Sequence, residues 1–365
     1  MTDEPFTLRL AKQFTPHALT LLVRSPTHNG GNMKRLVIYP AIDQRRLALI
    51  LDLSETLEVI NCETLPDALS GIVTADGFYG KMTPELLSAA EQLKWIQSPT
   101  ASLEHYLFPE LISHPSILTN MRGLFYDVIA DHVFAYILMF ARRMHLYLAR
   151  QSVGQWAPIG GEDARADYAV GPGNETSMDR NHQQLADSTL GIIGLGSIGG
   201  EIARYGKLLG MNVLGVDPYQ EKHPNVDQLG DMAFLPNLLA NSDFVVIAAP
   251  HTPETEGFFN EALIRQMKSS AFLINIGRGV ILPLNDLVAC LEEEVIAGAA
   301  LDVFETEPLP PEHPLWAMSN VIITPHVAAC TPKVPERHLE VLLENITRFA
   351  NDESLLNVTN KSRWF

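Results

Sequence analysis

Three segments in the second half of the chain end in residues that can hold an anion or move a proton. They are Asn275-Ile276-Gly277-Arg278-Gly279, then Leu301-Asp302-Val303-Phe304-Glu305-Thr306-Glu307-Pro308, then Thr324-Pro325-His326, and each follows an apolar, strand-like run. Histidine titrates nearest neutral pH, which suits it to take or give the proton of a substrate hydroxyl. A carboxylate beside it, such as Glu307, would favour the imidazolium. Arginine grips a carboxylate with two parallel N–H groups and can polarise a neighbouring carbonyl. Arg278, Glu307 and His326 together would therefore suit the interconversion of a 2-hydroxy acid and a 2-keto acid. Taken singly, each has a plainer reading: His326 as a hydrogen-bonded structural residue, Arg278 as an exposed turn residue, Glu307 as a solvated loop carboxylate.

An electron carrier is implied further upstream. Leu190-Gly191-Ile192-Ile193 reads as a buried strand running straight into Gly194-Leu195-Gly196-Ser197-Ile198-Gly199, and a helical pattern follows at Ile202, Ala203, Lys207 and Leu208. The glycine spacing alone is a weak signal. Strand, turn and helix in this order make it a dinucleotide cradle: Gly194 for the tight turn, Gly196 for close approach of a pyrophosphate, Gly199 for helix–strand packing. The plainer alternative is a glycine-rich turn with no ligand. Asp217 ends the next strand, 18 residues after Gly199, near the spacing at which a carboxylate binds the ribose diol. A carboxylate there repels a 2′-phosphate, so NAD is favoured over NADP. Chemistry resting on a nicotinamide requires no metal.

The elements around these residues belong to an ordinary folded chain of 365 residues. Hydrophobic residues make up 46% and charged residues 19%, which excludes wholesale disorder, and the length suggests two domains. The net charge of −17 disfavours nucleic acid and anionic membranes as partners. Cys62, Cys290 and Cys330 form no CxxC pair, so we expect buried free thiols in a reducing compartment rather than disulfides or zinc ligands. The longest apolar run, 133–141, is closed by Arg142 and Arg143 and is far short of the roughly 20 residues that cross a bilayer. With Asp3 and Glu4 near the start and no secretory signal, the expectation is a cytoplasmic protein. Residues 1–32 read as a poorly ordered extension, or as a start placed too far upstream, with the globular body beginning near Met33.

Strand-like runs at 36–39, 57–60, 71–74 and 95–97, with a helix opening at Thr83-Pro84, predict a first α/β unit. The spacing then predicts one helix over 127–151, apolar at Ile129, Val133, Tyr136, Ile137 and Phe140 on more than one face. That pattern suits core burial or a subunit interface. Residues 157–187, with Gly160-Gly161 and Gly171-Pro172-Gly173, read as a long mobile surface loop. A second strand–helix alternation follows, with strands at 189–193, 212–216, 244–248, 271–274 and 321–323, and 333–351 reads as an amphipathic helix. Two Rossmann-like units result. In such open sheets the carboxyl ends of the strands line the ligand crevice, which would put Arg278, Glu307 and His326 on one rim.

These motifs, four of them in order from about Lys34 to the C-terminus, resemble the D-isomer-specific 2-hydroxyacid dehydrogenase family. The resemblance implies a dinucleotide-binding domain, 123–330, inserted in a smaller flavodoxin-like substrate domain made of 33–122 and 331–365. It implies Arg278 as the substrate-binding arginine, Glu307 as the glutamate that assists the histidine, and His326 as the acid/base. Gly194, Gly196, Ser197, Ile198, Gly199 and Asp217 would hold NAD, with Ile276, with Asp302 at the nicotinamide carboxamide, and with Pro250 and Thr255 of Pro250-His251-Thr252-Pro253-Glu254-Thr255 passing alongside. The family's substrate loop falls on Ser98-Pro99-Thr100-Ala101-Ser102-Leu103-Glu104, where Ala101 and Ser102 would offer backbone N–H groups to the substrate carboxylate. Ser102 stands where glycine is usual, so a glycine-only backbone there would force the loop to shift. Phe78-Tyr79-Gly80 would form the opposite wall, with Tyr79 against the substrate.

The family is typically homodimeric through its cofactor domains, which favours the interface reading of 127–151. Only 39 residues follow His326, too few for the regulatory domain of the longer phosphoglycerate dehydrogenases. The activity implied is NAD(H)-dependent exchange of a D-2-hydroxy acid and a 2-keto acid. Glyoxylate, hydroxypyruvate, phosphohydroxypyruvate and bulkier acids are all compatible. A second reading is an NAD(H)-sensing binding protein, like the family's transcriptional co-repressors. A third, a dinucleotide-binding protein without catalysis, is disfavoured by the presence of Arg278, Glu307 and His326 together.

Overall fold

The run Lys34-Arg35-Leu36-Val37-Ile38-Tyr39 forms strand β1 (Lys34–Tyr39), in which Leu36, Val37 and Ile38 are fully buried. A strand apolar on successive residues has both faces covered, as in the centre of a parallel sheet. β1 lies between β2 (Leu57–Asn61) and β3 (Gly77–Gly80), and β4 (Trp95–Gln97) and β5 (Ile117–Thr119) complete a parallel sheet of order β2-β1-β3-β4-β5. This is the flavodoxin-like order. Its connections carry α1 (Gln44–Leu51), α2 (Leu65–Ile72), α3 (Pro84–Ala89) and α4 (Pro109–Ser113). The computed structural model describes residues 33–161, 173 and 175–364. The extension expected over 1–32, and 162–172 and 174 of the expected loop, lie outside the described residues.

The expected strand at 71–74 is instead the end of α2 and the turn after it. Thr64 caps this helix by accepting from the Asp67 N–H, Pro66 sits in its first turn, and Ala68 and Ile72 form its buried face. The apolar residues there are thus one helical stripe. The strand itself is β3, Gly-Phe-Tyr-Gly, whose glycines carry little β signal although all four residues are buried.

The helix expected over 127–151 is two helices, α5 (Tyr126–Ala141) and α6 (Met144–Ser152). They are broken at Arg143, whose φ of 56° is left-handed, and its Nε donates to Asn181 O. Within the described part of 157–187, a short helix α7 (Ser177–Arg180) departs from the expected irregular loop. It starts in a reciprocal cap between Thr176 and Asp179.

The second sheet is also all-parallel, in the order β12-β11-β10-β9-β6-β7-β8. Its strands are β6 (Thr189–Ile193), β7 (Asn212–Val216), β8 (Gln228–Gly230), β9 (Phe244–Ile247), β10 (Phe272–Asn275), β11 (Gly298–Leu301) and β12 (Val321–Ile323). α8 (Ser197–Leu208), α9 (Leu235–Asn241), α10 (Glu261–Ile264) and α11 (Leu284–Glu292) alternate with them. One face packs under α5, where Phe140 stacks on Phe272 at 4.2 Å between centroids. Each such large side chain, fully buried, contributes about 1.5–3 kcal/mol.

α12 (Lys333–Ala350) returns to the first sheet. Leu342, Ile346 and Phe349 join Leu36, Ile38 and Trp95 in one core, and Asn345 Nδ2 donates to Gln97 Oε1 at 2.8 Å. The fold is therefore α/β, two Rossmann-like sheets with the dinucleotide-binding unit inserted in the smaller one. Among the described residues no helix is long and apolar enough to cross a membrane. All three cysteines are free thiols, but only Cys62 and Cys290 are buried. Cys330 is exposed, against expectation, because it lies in the connection leading into α12 rather than in an element.

Candidate active site

The glycine turn leaves β6 at the point where the strand order of the second sheet reverses, between β6 and β9. Gly194 has φ 91°, and a Cβ there would meet the Ala249 backbone at 2.9 Å, so both conformation and space demand glycine. A Cβ on Gly199 would lie 2.0 Å from Gly194 O, which is why α8 can close onto the turn. Gly196 differs, since a Cβ on it would meet nothing within 4 Å, and it is exposed together with Ser197. That open space faces the first turn of α8, whose N–H groups have no partners within the helix.

Asp217 ends β7 and is 8% exposed. Its Oδ2 accepts from the Leu195 N–H and its Oδ1 from the Tyr219 N–H, both at 2.8 Å. The carboxylate thus ties the glycine turn to the next strand; Oδ2 also accepts from Gln220 Nε2 at 3.5 Å, so Oδ1 is the oxygen that keeps a lone pair for a ribose hydroxyl. Pro250 and Thr255 belong to one turn, in which Thr255 Oγ1 donates to Pro250 O at 2.8 Å. Beside Pro250, His251 Nε2 makes no hydrogen bond among the described residues and has Glu256 Oε2 at 3.7 Å. An open phosphate cradle and a ribose carboxylate both fit a nicotinamide dinucleotide.

On the other half of the rim, Ile276, Asp302 and the Thr324–His326 segment follow β10, β11 and β12 directly. Asn275, 1% exposed, staples the first turn by accepting from the Gly277 N–H and donating to Arg278 O. Arg278 then reaches the loop after β4, where its Nε donates to Glu104 Oε1 at 2.7 Å, and Nη1 donates to Gly277 O. Burial alone would push the Glu104 carboxyl up, but the charge and hydrogen bond of Arg278 outweigh it and hold it below the usual range. Glu104 is the residue here that sequence reasoning passed over. It lay in the quoted loop, but nothing local linked it to an arginine 174 positions away.

Glu307 and His326 meet at 2.7 Å, Oε2 to Nδ1, while Glu307 Oε1 accepts from the Phe304 N–H. A carboxylate only accepts, so Nδ1 carries its proton and Nε2 is left for another partner. His326 has φ 54°, a left-handed backbone costly for a β-carbon residue. Asp302 holds it there. The Asp302 carbonyl accepts from the His326 N–H, and its carboxylate accepts from the N–H groups of Val327 and Ala328 and from Thr324 Oγ1. Asp302 is 2% exposed, so the residue expected at the nicotinamide carboxamide has its carboxylate in the wall, closing the histidine turn. Thr324 continues this network to Tyr136 and His132 of α5; the sequence reading placed Tyr136 in a core or interface face and did not single out His132.

The 98–104 loop, where the substrate was expected, needs no glycine. Among the described residues the non-glycine left-handed positions do not include Ser102, so the serine sits without strain. Thr100 Oγ1 donates to Ser102 O, Asn120 Nδ2 donates to Ala101 O, and the N–H groups of Ala101 and Ser102 meet no acceptor among the described residues. Tyr79 departs from its expected place. The residue is 7% exposed and packs with Leu36, Ile38 and Trp95, and burial pushes its hydroxyl up.

Residues 134–328 match the family described as D-isomer specific 2-hydroxyacid dehydrogenase, NAD binding domain. A glyoxylate reductase of Thermofilum pendens is 33% identical over 284 residues, 77% of this chain and 79% of its own length. A D-isomer specific 2-hydroxyacid dehydrogenase of Xanthobacter autotrophicus, solved with NADPH, superposes with a TM-score of 0.73 at 25% identity, covering 91% of this chain and 100% of the other. An NADPH-dependent glyoxylate/hydroxypyruvate reductase of Sinorhizobium meliloti, solved with NADP, gives 0.72 at 26% identity over 91% of this chain and 100% of the other. Fold and match define the class, an oxidoreductase built to use a nicotinamide dinucleotide. Within it the chain belongs to the D-isomer specific 2-hydroxyacid dehydrogenase family.

Proposed function

We propose that the chain is a 2-keto acid reductase, interconverting a D-2-hydroxy acid and its keto acid with NAD(H). The observation that carries this reading is the Glu307–His326 pair on the strand-end rim that also presents Arg278. Gly194, Gly196, Ser197, Ile198, Gly199 and Asp217 would hold the dinucleotide, with Pro250, Thr255 and Ile276 alongside. When bound, its nicotinamide supplies the two electrons that reduce the keto carbon. Arg278 binds the substrate carboxylate and polarises the keto oxygen, with the Ala101 and Ser102 N–H groups on the other side. In its doubly protonated form His326 gives the Nε2 proton to the forming alkoxide and keeps the Nδ1 proton on Glu307, which steadies the ring.

The coenzyme preference rests on the Asp217 carboxylate, which a 2′-phosphate would approach unfavourably. We place the domain boundaries at 122/123 and 330/331. The enzyme is a homodimer through α5 and α6, where Leu138, Met144, Leu148, Val153 and Trp156 are exposed although α5 already buries a full face. Its free thiols suit a reducing compartment, the cytoplasm.

The test is oxidation of NADH against a panel of 2-keto acids, glyoxylate and hydroxypyruvate first because relatives bear those names, with NADPH alongside. Turnover of one acid with NADH supports the reading. Turnover with NADPH alone would overturn the coenzyme preference. NADH binding without turnover of any acid would favour a sensing role instead.

A further inference from the structure

The segment after α12 runs along the edge of the first sheet and ends at the dinucleotide rim of the second. Val358 bridges to Thr119 of β5, the Thr359 N–H donates to Leu118 O at 2.9 Å, and Lys361 Nζ donates to Ser116 O at 3.1 Å. Beyond this anchor, the Arg363 guanidinium lies over the Tyr219 ring, 5.0 Å from its centroid, and the Trp364 ring stands edge-on to His251 at 5.9 Å. Both receiving residues belong to the cofactor wall. Tyr219 gives its N–H to Asp217, and His251 follows Pro250.

The order along the rim locates the charge. The phosphate cradle is at Gly196 and the start of α8, Asp217 comes next, and Tyr219 with Arg363 lies two residues further. Because the Tyr219 N–H bonds Asp217, the guanidinium lies beside the proposed ribose carboxylate. Among the described residues no carboxylate lies within 4.0 Å of Arg363, in a chain with 43 acidic residues. Stacking on a ring leaves the N–H edge of a guanidinium free for an anion.

We infer that Arg363 is the counter-ion for a 2′-phosphate on the adenosine ribose, so that the chain binds NADP(H) as well as NAD(H). Asp217 acts against the phosphorylated ribose and Arg363 acts for it, and the balance between them sets the discrimination. This rests on the proposed cofactor site and extends it to a residue outside the glycine-turn domain's own sequence.

Arg363 is exposed, so Arg363→Gln leaves the fold intact. Dissociation constants of NADH and NADPH are measured by calorimetry on the full chain and on the variant. The expected result is NADPH weakened about tenfold with NADH changed less than about twofold, and with the salt dependence of NADPH binding reduced. Equal loss for both would assign Arg363 to the pyrophosphate and overturn the inference. No loss for either, or no NADPH binding by the unaltered chain, would overturn it too. If NADH also fails to bind the unaltered chain, the cofactor site itself is wrong.

Discussion

Arg278 and Glu104 form an ion pair, 2.7 Å from Nε to Oε1, between a strand end of the second sheet and a loop of the first. The Glu104 side chain is 8% exposed and that of Arg278 30%, so the pair is shielded on one side and open to the cleft on the other. With Nε held by Glu104 and one Nη1 hydrogen by Gly277 O, the remaining hydrogens on Nη1 and Nη2 form the fork that the proposed function assigns to a substrate carboxylate.

Removing Glu104 should therefore loosen substrate more than coenzyme. Glu104→Ala is expected to raise KM for the keto acid about tenfold, the scale of one charge-assisted hydrogen bond. Glu104→Gln, whose amide oxygen still accepts from Nε, should lie between. Steady-state kinetics decide it, and an unchanged KM in the alanine variant would remove Glu104 from the site.

His326→Ala should lower kcat by about 10²–10⁴, the usual worth of a positioned acid/base. NADH binding should stay within about twofold, since no cofactor-cradle residue bonds to the ring. Near-normal turnover in that variant would end the proposed proton transfer.

Asp302 should matter first for structure. Asp302→Ala strands the Val327 and Ala328 N–H groups, each costing about 1–3 kcal/mol when unsatisfied. We expect a loss of roughly 3 kcal/mol in denaturant unfolding along with lower kcat, because the left-handed turn at His326 loses its clamp. A variant as stable as the parent would contradict this.

Ser102→Gly should bring no gain. The serine is already in an ordinary backbone region, so glycine only adds freedom to the unfolded chain, about 0.4–1 kcal/mol of destabilisation. Higher kcat/KM in the glycine variant would show that the loop is strained after all.

One pair links α5 to α12 and sets a pH dependence. Two hydrogen bonds from Arg337 hold the Asp127 carboxyl down to about 2, from an ordinary 3.8. A lowered value in the folded state means the stabilisation is present above 3.8 and is lost as pH falls through about 2. Because the Asp127 side chain is 34% exposed, solvent screening leaves no more than about 1 kcal/mol. Asp127→Asn should unfold slightly earlier at pH 7 in thermal melts, and the difference should vanish toward pH 2. A constant difference at all pH values would point to packing instead.

The sequence by itself determined what depends on neighbours along the chain. Parallel strands such as 189–193, 212–216 and 321–323 read directly as apolar runs, and the glycine turn announced its strand–turn–helix context, because these signals are local. Local content also misled. The stripe at 71–74 reads as a strand although it ends the helix that Thr64 caps, and nothing nearby marked the left-handed break at Arg143, where Nε bonds Asn181 O.

Only the tertiary structure decided the contacts that cross the molecule. Glu104 on Arg278, Asp302 beneath the histidine turn, Tyr79 turned into the core and Arg363 over Tyr219 all depend on how two sheets and a returning tail pack together. Residue types and spacing state which groups can do chemistry. Which of them face one another is set by packing between segments from about 20 to more than 170 positions apart, and no local pattern encodes that.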